Sequence, residues 1–246
     1  MTVDLSGKTA LITGASRGIG AAVAKAYAAA GARLILVART VGALEQVDDE
    51  IRAAGGEKAT LMPLDLSKLD RLDKMGPTIA EQFGGLDIFV GNAAMLGTLG
   101  PMTHMDAKIW HDVWDVNLHA NFRLIRTLDP LLRAAPAGRV VCTSSALAQM
   151  PLAYWGVYCA SKAALEMMVK VYATETEKTN IRANLVDPGI VDTAMLREAF
   201  PGGHPGEEVK KPEDVVPAFL ELAADHCTKH GDIVQACVPA GGRKVV

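Results

Sequence analysis

The sequence has 246 residues, half of them apolar and 22% charged, with 28 acidic against 25 basic side chains and a formal charge of −3. That balance is too apolar for a disordered chain and offers no basic face for nucleic acid. The length supports a full core without disulfide or metal staples, and no run approaches the roughly 18 uninterrupted apolar residues of a membrane span.

Short apolar runs alternate with helical patterns along the chain. The first run, residues 9–13, leads into a glycine-rich turn and a helical stretch over 19–30. A second run at 33–38 precedes a helix-length segment at 41–54, and further runs follow at 59–64 and 86–91. Helical patterning over 107–133 leads to a run at 139–143, and patterning over 158–178 leads to one at 181–186. A weaker seventh run covers 233–238. The runs are apolar throughout rather than alternating, as in strands covered on both faces. Strands separated by helices predict a single α/β domain over residues 1–246, a doubly wound sheet of about seven parallel strands flanked by helices on both faces. Residues 188–211 hold three prolines and four glycines and break this pattern. They follow the sixth strand, beyond whose carboxyl end ligands bind in such sheets, so a substrate lid is expected there.

The first strand runs into Thr13, Gly14, Ala15, Ser16, Arg17, Gly18, Ile19 and Gly20. Glycines at this place allow a tight turn and let the backbone approach a pyrophosphate, which the N–H groups and dipole of the next helix can hold. No Gly-Lys-Ser/Thr follows, which excludes a P-loop. An acidic residue at the end of the second strand would grip the 2′-hydroxyl of NAD. The sequence has Arg39 there instead, 19 residues after Gly20, and Arg17 inside the loop. Two arginines can clamp one phosphate, so the expected cofactor is NADP(H), favoured over NAD(H).

Tyr158 and Lys162 stand four residues apart and project from one helix face. An ammonium within about 4–6 Å favours a phenolate, so Lys162 is expected to lower the tyrosine pKa from about 10 toward the working range. Ser145 lies thirteen residues before Tyr158, at the end of the fifth strand, where its hydroxyl can reach a bound carbonyl oxygen. Asn117 sits inside a long helical segment, where asparagine is mildly unfavourable.

Taken in order, these residues resemble the short-chain dehydrogenase/reductase family over about residues 5–200. Thr13, Gly14, Gly18 and Gly20 are similar to its TGxxxGxG loop, Tyr158 and Lys162 to its YxxxK pair, Ser145 to its catalytic serine and Asn117 to its helix asparagine. The resemblance implies a Rossmann-type fold and a cofactor site in which Ser16 and Ile19 join the loop glycines and Arg17. It further places Asp65 and Leu66 at the adenine and Asn92 and Ala93 beside the adenosine ribose. Pro188 and Gly189 belong to the family's PGxVxT turn, with Ile190 and Thr193 near the nicotinamide carboxamide. The implied activity is NADPH-dependent transfer of hydride between the nicotinamide and a carbonyl or secondary alcohol. In that scheme Tyr158 is general acid and base and Ser145 donates to the oxygen. Lys162 also binds the nicotinamide ribose, and Asn117 holds a water in the proton relay. Members that the chain resembles include 3-oxoacyl-acyl-carrier-protein reductases, and the family relation implies a homodimer or homotetramer built through the helices near 107–133 and 158–178.

Some features depart from the family or stand outside it. Gly91, Asn92, Ala93 and Ala94 replace the usual Asn-Asn-Ala-Gly, and the lost first asparagine is expected to loosen the end of the fourth strand. The tail at 236–246 lacks the common Asp-Gly-Gly ending in register. His226, Cys227 and His230 lack the third ligand a zinc site wants, so no metal is expected. The cysteines Cys142, Cys159, Cys227 and Cys237 form no Cys-x-x-Cys pair and residues 1–5 carry no signal-peptide pattern, which predicts a soluble cytoplasmic protein without membrane or nucleic-acid partners. Loops 95–105 and 146–157 contain no Arg or Lys. A small apolar ketone, aldehyde or 3-oxoacyl thioester is therefore expected rather than a substrate anchored there by carboxylate or phosphate. Two other readings stay open: a sugar-nucleotide epimerase-like enzyme, whose loop would run Gly-x-x-Gly-x-x-Gly, and an NADP-binding sensor without turnover, which would need no proton relay.

Overall fold

The structure is a computed structural model that describes residues 3–205 and 209–236. The apolar runs form strands β1 (Thr9–Thr13), β2 (Arg33–Ala38), β3 (Thr60–Pro63), β4 (Ile88–Gly91), β5 (Arg139–Thr143), β6 (Arg182–Asp187) and β7 (Ile233–Gln235). They pair in parallel in the order β3-β2-β1-β4-β5-β6-β7. The intervening helices are α1 (Gly18–Ala29), α2 (Val41–Ala53), the single turn α3 (Leu69–Leu72), α4 (Met75–Phe83), α5 (Ala107–Trp114), α6 (Ala120–Ala134), α7 (Gly156–Glu175), α8 (Ala194–Ala199) and α9 (Val216–Ala223). The expected extension of the seventh strand to 238, Cys237 and the rest of the tail lie outside the described residues, as do residues 206–208 of the expected lid.

Period-two alternation sends neighbouring strand residues into two separate cores. Ala10, Ile12, Leu34, Leu36, Ile88 and Val90 meet α1, α2 and α9 through Tyr27, Leu44 and Phe219. Leu11, Ile35, Val37, Phe89 and Val140 face the other way and meet α4, α6 and α7 through Ile79, Leu128 and Leu165. Two buried faces explain why the strands read as unbroken apolar runs. Each fully buried Val, Leu, Ile or Phe side chain here contributes about 1.5–3 kcal/mol. Polar groups within these layers find partners: the Tyr27 hydroxyl donates to the Phe219 carbonyl at 2.8 Å, and the buried Arg139 guanidinium donates to the carbonyls of Gly138, Ala224 and Asp225. Helix α6 stops at Ala135, which is extended (φ −67°, ψ 149°) as the residue before Pro136 must be. No helix among the described residues is long and apolar enough to cross a membrane.

Two features of this architecture position the site. From the centre of the sheet, β1 leads outward to β2 and β3, while β4 leads the other way through β5 and β6 to β7. That reversal opens a crevice at the carboxyl ends of β1 and β4. Helix α7 then lays the stripe Tyr158, Ser161, Lys162, Leu165, Glu166 and Val169 against the sheet, which sets polar side chains within the buried face nearest the crevice.

Candidate active site

The glycine loop closes one end of the crevice. Gly14 (φ 64°) and Gly18 (φ 56°) take left-handed backbone that side chains resist. A Cβ on Gly20 would stand 2.2 Å from the Gly14 carbonyl oxygen, and one on Gly14 would stand 2.9 Å from the Ala93 Cα. Helix α1 can thus press on the loop, and the loop on the end of β4, because no side chain intervenes. The helix starts after Arg17 with no side-chain cap and no acidic residue in its first turn. Its leading N–H groups and the positive end of its dipole are left for an anion, which fits the pyrophosphate of a dinucleotide. Arg17 and Arg39 are exposed at the mouth. Partial burial raises the Asp65 carboxyl, but the Ser67 N–H (3.0 Å) and hydroxyl (2.9 Å), with the charge of Arg39, outweigh it and hold the group below its ordinary value.

The strand ends beneath the crevice are tied together. The Thr13 hydroxyl accepts from the Asn92 and Ala93 N–H groups at 3.0 and 3.1 Å. The Asn92 amide donates to the Thr13 carbonyl at 3.1 Å, and its Oδ1 accepts from the Thr143 hydroxyl at 3.3 Å. At Gly91, where loosening is expected from the sequence, the space beside the glycine is filled. A Cβ there would lie 2.4 Å from Asn121 Oδ1 and 2.9 Å from Cys142 Sγ, so a buried asparagine arriving from α6 fills the space beside the glycine.

Helix α7 places Tyr158 and Lys162, 8% and 2% exposed, one turn apart on the crevice wall. The Ser145 oxygen accepts from the Leu147 N–H at 3.2 Å. Burial pushes the Tyr158 phenol up to about 12, with Asp187 and Cys159 acting in the same direction and the Ser145 hydroxyl against it. Burial likewise pushes the Lys162 ammonium down to about 8, opposed by Cys142 and Glu166. The lowering of Tyr158 expected from the sequence is absent in this state. Lys162 Nζ donates to the Thr143 carbonyl at 2.7 Å and stands 5.8 Å from the Tyr158 ring centroid, so desolvation dominates. The phenol is therefore protonated at neutral pH, the form that can give a proton.

Asn117 lies in a turn of π-helix, Asp115–His119, that joins α5 to α6. It is fully buried and does not line the cleft. Its Oδ1 accepts from the Met95 N–H at 2.7 Å, and its Nδ2 donates to the Met95 carbonyl at 2.9 Å and to Ser161 Oγ at 3.0 Å. The side chain braces the loop after β4 against α7 beside Tyr158.

The crevice has a volume of about 740 Å³. Of the residues expected to bind cofactor, Gly14, Ser16, Arg17, Gly18, Ile19, Arg39, Asp65, Leu66, Asn92, Ala93, Pro188, Gly189, Ile190 and Thr193 line it, whereas Gly20 stands beneath the loop. Ser145, Tyr158 and Lys162 face the same space. Beyond them the walls are apolar: Met150, Leu152, Trp155, Met195 and Phe200, with the Trp155 ring edge-on to Tyr158 at 5.9 Å and 5.8 Å from Phe200. Met195 belongs to α8, which forms inside the expected lid because the Thr193 hydroxyl accepts from the Leu196 N–H at 3.3 Å. His230, one of the discounted metal candidates, accepts from the Ala183 N–H through Nδ1 at 3.1 Å.

Asp187, Ser144 and Glu166 are polar groups of the site's surroundings to which the sequence assigned no role. Asp187 accepts from the Gly189 N–H at 3.1 Å, and burial raises its carboxyl against the pull of the Gly189 and Ala146 backbone. Its signal was a carboxylate closing an apolar run. Glu166 carried no such mark, since a glutamate within a helix reads as a solvated face.

Comparison with known proteins agrees with this geometry. A family model described as short chain dehydrogenase matches residues 8–202. The oxidoreductase YciK of Escherichia coli is 38% identical over 223 residues, covering 90% of this chain and 88% of that protein. The 3beta-hydroxysteroid dehydrogenase 1 of Eggerthella lenta is 34% identical over 237 residues, covering 92% and 90%. A short chain dehydrogenase of Escherichia coli solved in complex with NADPH superposes with a TM-score of 0.91 at 36% identity, over 97% of this chain and 100% of that one. With a parallel seven-stranded sheet, a glycine cradle at its switch point and matches of this extent, the chain is an oxidoreductase of the short-chain dehydrogenase/reductase family.

Proposed function

We propose that this oxidoreductase uses NADP(H) to interconvert an apolar carbonyl compound and its secondary alcohol, with Tyr158 as general acid and base. The observation that carries the reading is the placement of Ser145, Tyr158 and Lys162 on the wall of the same crevice that the glycine loop closes. The loop from Gly14 to Gly20, with Ser16 and Ile19, and the start of α1 would hold the pyrophosphate, and Arg17 and Arg39 the 2′-phosphate. Asp65 and Leu66 would meet the adenine, Asn92 and Ala93 the ribose, and Pro188, Gly189, Ile190 and Thr193 the nicotinamide end. The NADPH held by the Escherichia coli neighbour, 36% identical over nearly the whole chain, supports this choice. When bound, the nicotinamide supplies or accepts the hydride.

The chain's own groups handle the proton. Ser145 Oγ, already an acceptor for the Leu147 N–H, turns its own proton toward the carbonyl oxygen where negative charge develops. Tyr158, a neutral phenol at pH 7, gives that oxygen its proton, and in the reverse direction the phenolate takes one back. The Lys162 ammonium, held on the Thr143 carbonyl 5.8 Å from the ring centroid, would stabilise the phenolate once the proton has left. Asn117 acts one layer behind, holding Met95 and Ser161 so that the wall keeps its shape. Met150, Leu152, Trp155 and Phe200 would surround an apolar substrate.

In this reading residues 1–246 act as one unit and 188–211 as a lid, which the pairing of Val191 with Lys210 supports as a clipped loop. The free thiols at Cys142, Cys159 and Cys227 suit a reducing, cytoplasmic setting. Phe122, Met167 and Val171, exposed on α6 and α7, suit a homodimer or homotetramer packed through those helices.

NADPH consumption by the purified protein against a panel of ketones, diketones, aldehydes and 3-oxoacyl thioesters tests the reading, with NADH and Tyr158→Phe in parallel. Turnover with NADPH that falls by about 10²–10⁴-fold in the tyrosine variant is the expected outcome. Unchanged turnover in Tyr158→Phe refutes the assignment, and tight NADPH binding without turnover of any carbonyl favours the sensor.

A further inference from the structure

Helix α7 buries a second charged residue one turn beyond Lys162. Glu166 is 4% exposed, and its carboxylate is held from two sides by one short segment. Oε1 accepts from the Ser144 hydroxyl at 2.5 Å, and Oε2 accepts from the Gln149 amide at 3.0 Å. Ser144 and Gln149 are the two ends of a six-residue loop, and Ser145 is its second residue. The loop also holds a short 3-10 turn, Ala146–Ala148, and is anchored to the sheet by the Ser144 N–H on the Val186 carbonyl at 2.7 Å. Lys170, one turn further along α7, brings its ammonium within 4.0 Å of Oε2.

Burying a carboxylate costs several kcal/mol unless hydrogen bonds compensate it, so a chain that needed only packing would place an apolar residue here. Tyr158 and Glu166 are rigidly related, because both belong to the buried stripe of one helix. A loop fixed to Glu166 at both ends is therefore fixed relative to Tyr158.

We infer that Glu166 is a positioning residue for the reaction: by clamping Ser144 and Gln149 to α7, it sets the Ser145 hydroxyl at the distance from Tyr158 that joint binding of one carbonyl oxygen requires. Both of its partners donate, so the position calls for two acceptor oxygens. Glutamine can still accept from Gln149 and offer its amide to the Ser144 oxygen, since a hydroxyl works in either direction. Alanine offers neither. The inference rests on the carbonyl-reductase reading given above.

The test is a double-mutant cycle between Glu166 and Ser145 in the full-length chain, using the best ketone of the panel and NADPH. Misplacing a catalytic group by about 1 Å costs about 10²-fold, so Glu166→Ala is expected to lower kcat about 100-fold while the Kd for NADPH moves less than about 2-fold. Glu166→Gln is expected to recover kcat to within about 10-fold of the unaltered chain. In a Ser145→Ala background, Glu166→Ala is expected to cost less than about 3-fold, because the group it positions is gone. A Glu166→Ala chain that keeps kcat within about 3-fold overturns the inference, as does an undiminished 100-fold loss in the Ser145→Ala background. If Glu166→Ala does not fold, Gln149→Met, which removes one of the two donors to Glu166, carries the same cycle, and additive losses with Ser145→Ala overturn it equally. An unaltered chain that turns over no carbonyl defeats the functional reading instead, so the two failures are distinct.

Discussion

Replacing Lys162 with methionine should raise the stability of the chain while abolishing most of its turnover. The ammonium is 2% exposed, and its pKa is pushed from 10.5 down to about 8, first of all by burial. A shift of that size, at about 1.4 kcal/mol per unit, means the charged form costs the fold about 3 kcal/mol at pH 7. Between pH 8 and pH 10.5 the unfolded chain keeps a proton that the folded chain has released, so stability rises with pH across that window and the penalty is gone above it. Methionine is similar in length and fills irregular apolar space. It leaves the Thr143 carbonyl without its 2.7 Å donor, which returns about 1 kcal/mol of the gain. The net expectation is about 2 kcal/mol at pH 7, or roughly 4–8 °C in Tm for a domain of this size. Urea denaturation of both proteins at pH 7 and pH 9.5 measures it, and the advantage should shrink at the higher pH. Turnover should fall by about 10²-fold or more. A methionine variant less stable than the parent at pH 7, or an advantage that does not change with pH, refutes the electrostatic reasoning.

Three other substitutions probe separate parts of the site. Gly20→Ala puts a methyl 2.2 Å from the Gly14 carbonyl oxygen and 2.5 Å from Asn92 Nδ2; it should cost about 1–3 kcal/mol and weaken NADPH binding sharply in a fluorescence titration. Arg39→Ser should raise the Kd for NADPH by about 10–100-fold and leave that for NADH nearly unchanged, since a charge-assisted hydrogen bond is worth about 1.5–3 kcal/mol; equal effects on both cofactors would remove Arg39 from the 2′-phosphate. Asn117→Leu strips the buried Met95 N–H and carbonyl of their partners, and with about 1–3 kcal/mol per orphaned group it should lower urea stability by about 2–6 kcal/mol.

The strands were legible because a sheet covered on both faces leaves its signature in every residue, not in alternate ones. Residues 9–13, 33–38 and 139–143 coincide with β1, β2 and β5. Disagreement appears at the strand ends. Leu86 is buried and belongs to the apolar run, yet β4 begins at Ile88. The residue between them, Asp87, still bonds to both neighbouring strands, its N–H donating to the Thr9 carbonyl at 3.0 Å and its carbonyl accepting from the Arg139 N–H at 2.8 Å, while its carboxylate takes the Thr9 N–H at 2.9 Å. The segment 107–133 hides its break for a different reason. A π-turn inserts one residue into otherwise continuous helix, and apolar spacing over a window of a dozen residues does not register a slip of one. The asparagine at 117 was the visible trace of it.

What could be read of the site was what backbone geometry dictates. A glycine whose Cβ would sit 2.2 Å from a carbonyl oxygen has no substitute, so the loop carries its function in its letters. Tyr158 and Lys162 are likewise placed by helix spacing alone. Their proton chemistry is not, because it depends on burial, and burial belongs to the assembled chain. Spacing led to a lysine acting on a tyrosine; the fold turns that ammonium onto Thr143 and leaves desolvation to hold the phenol at about 12. The two carboxylates nearest this chemistry, Glu166 and Asp187, enter only when α7 and β6 meet over the loop 144–149. A charged residue in a helix is taken for solvent-facing unless something opposes it, and here the opposition comes from Ser144 and Gln149, 22 and 17 residues away in sequence. A pattern reading confined to neighbours within one helix cannot see partners at that distance, so the catalytic pair was legible and the group that aligns the serine with it was not.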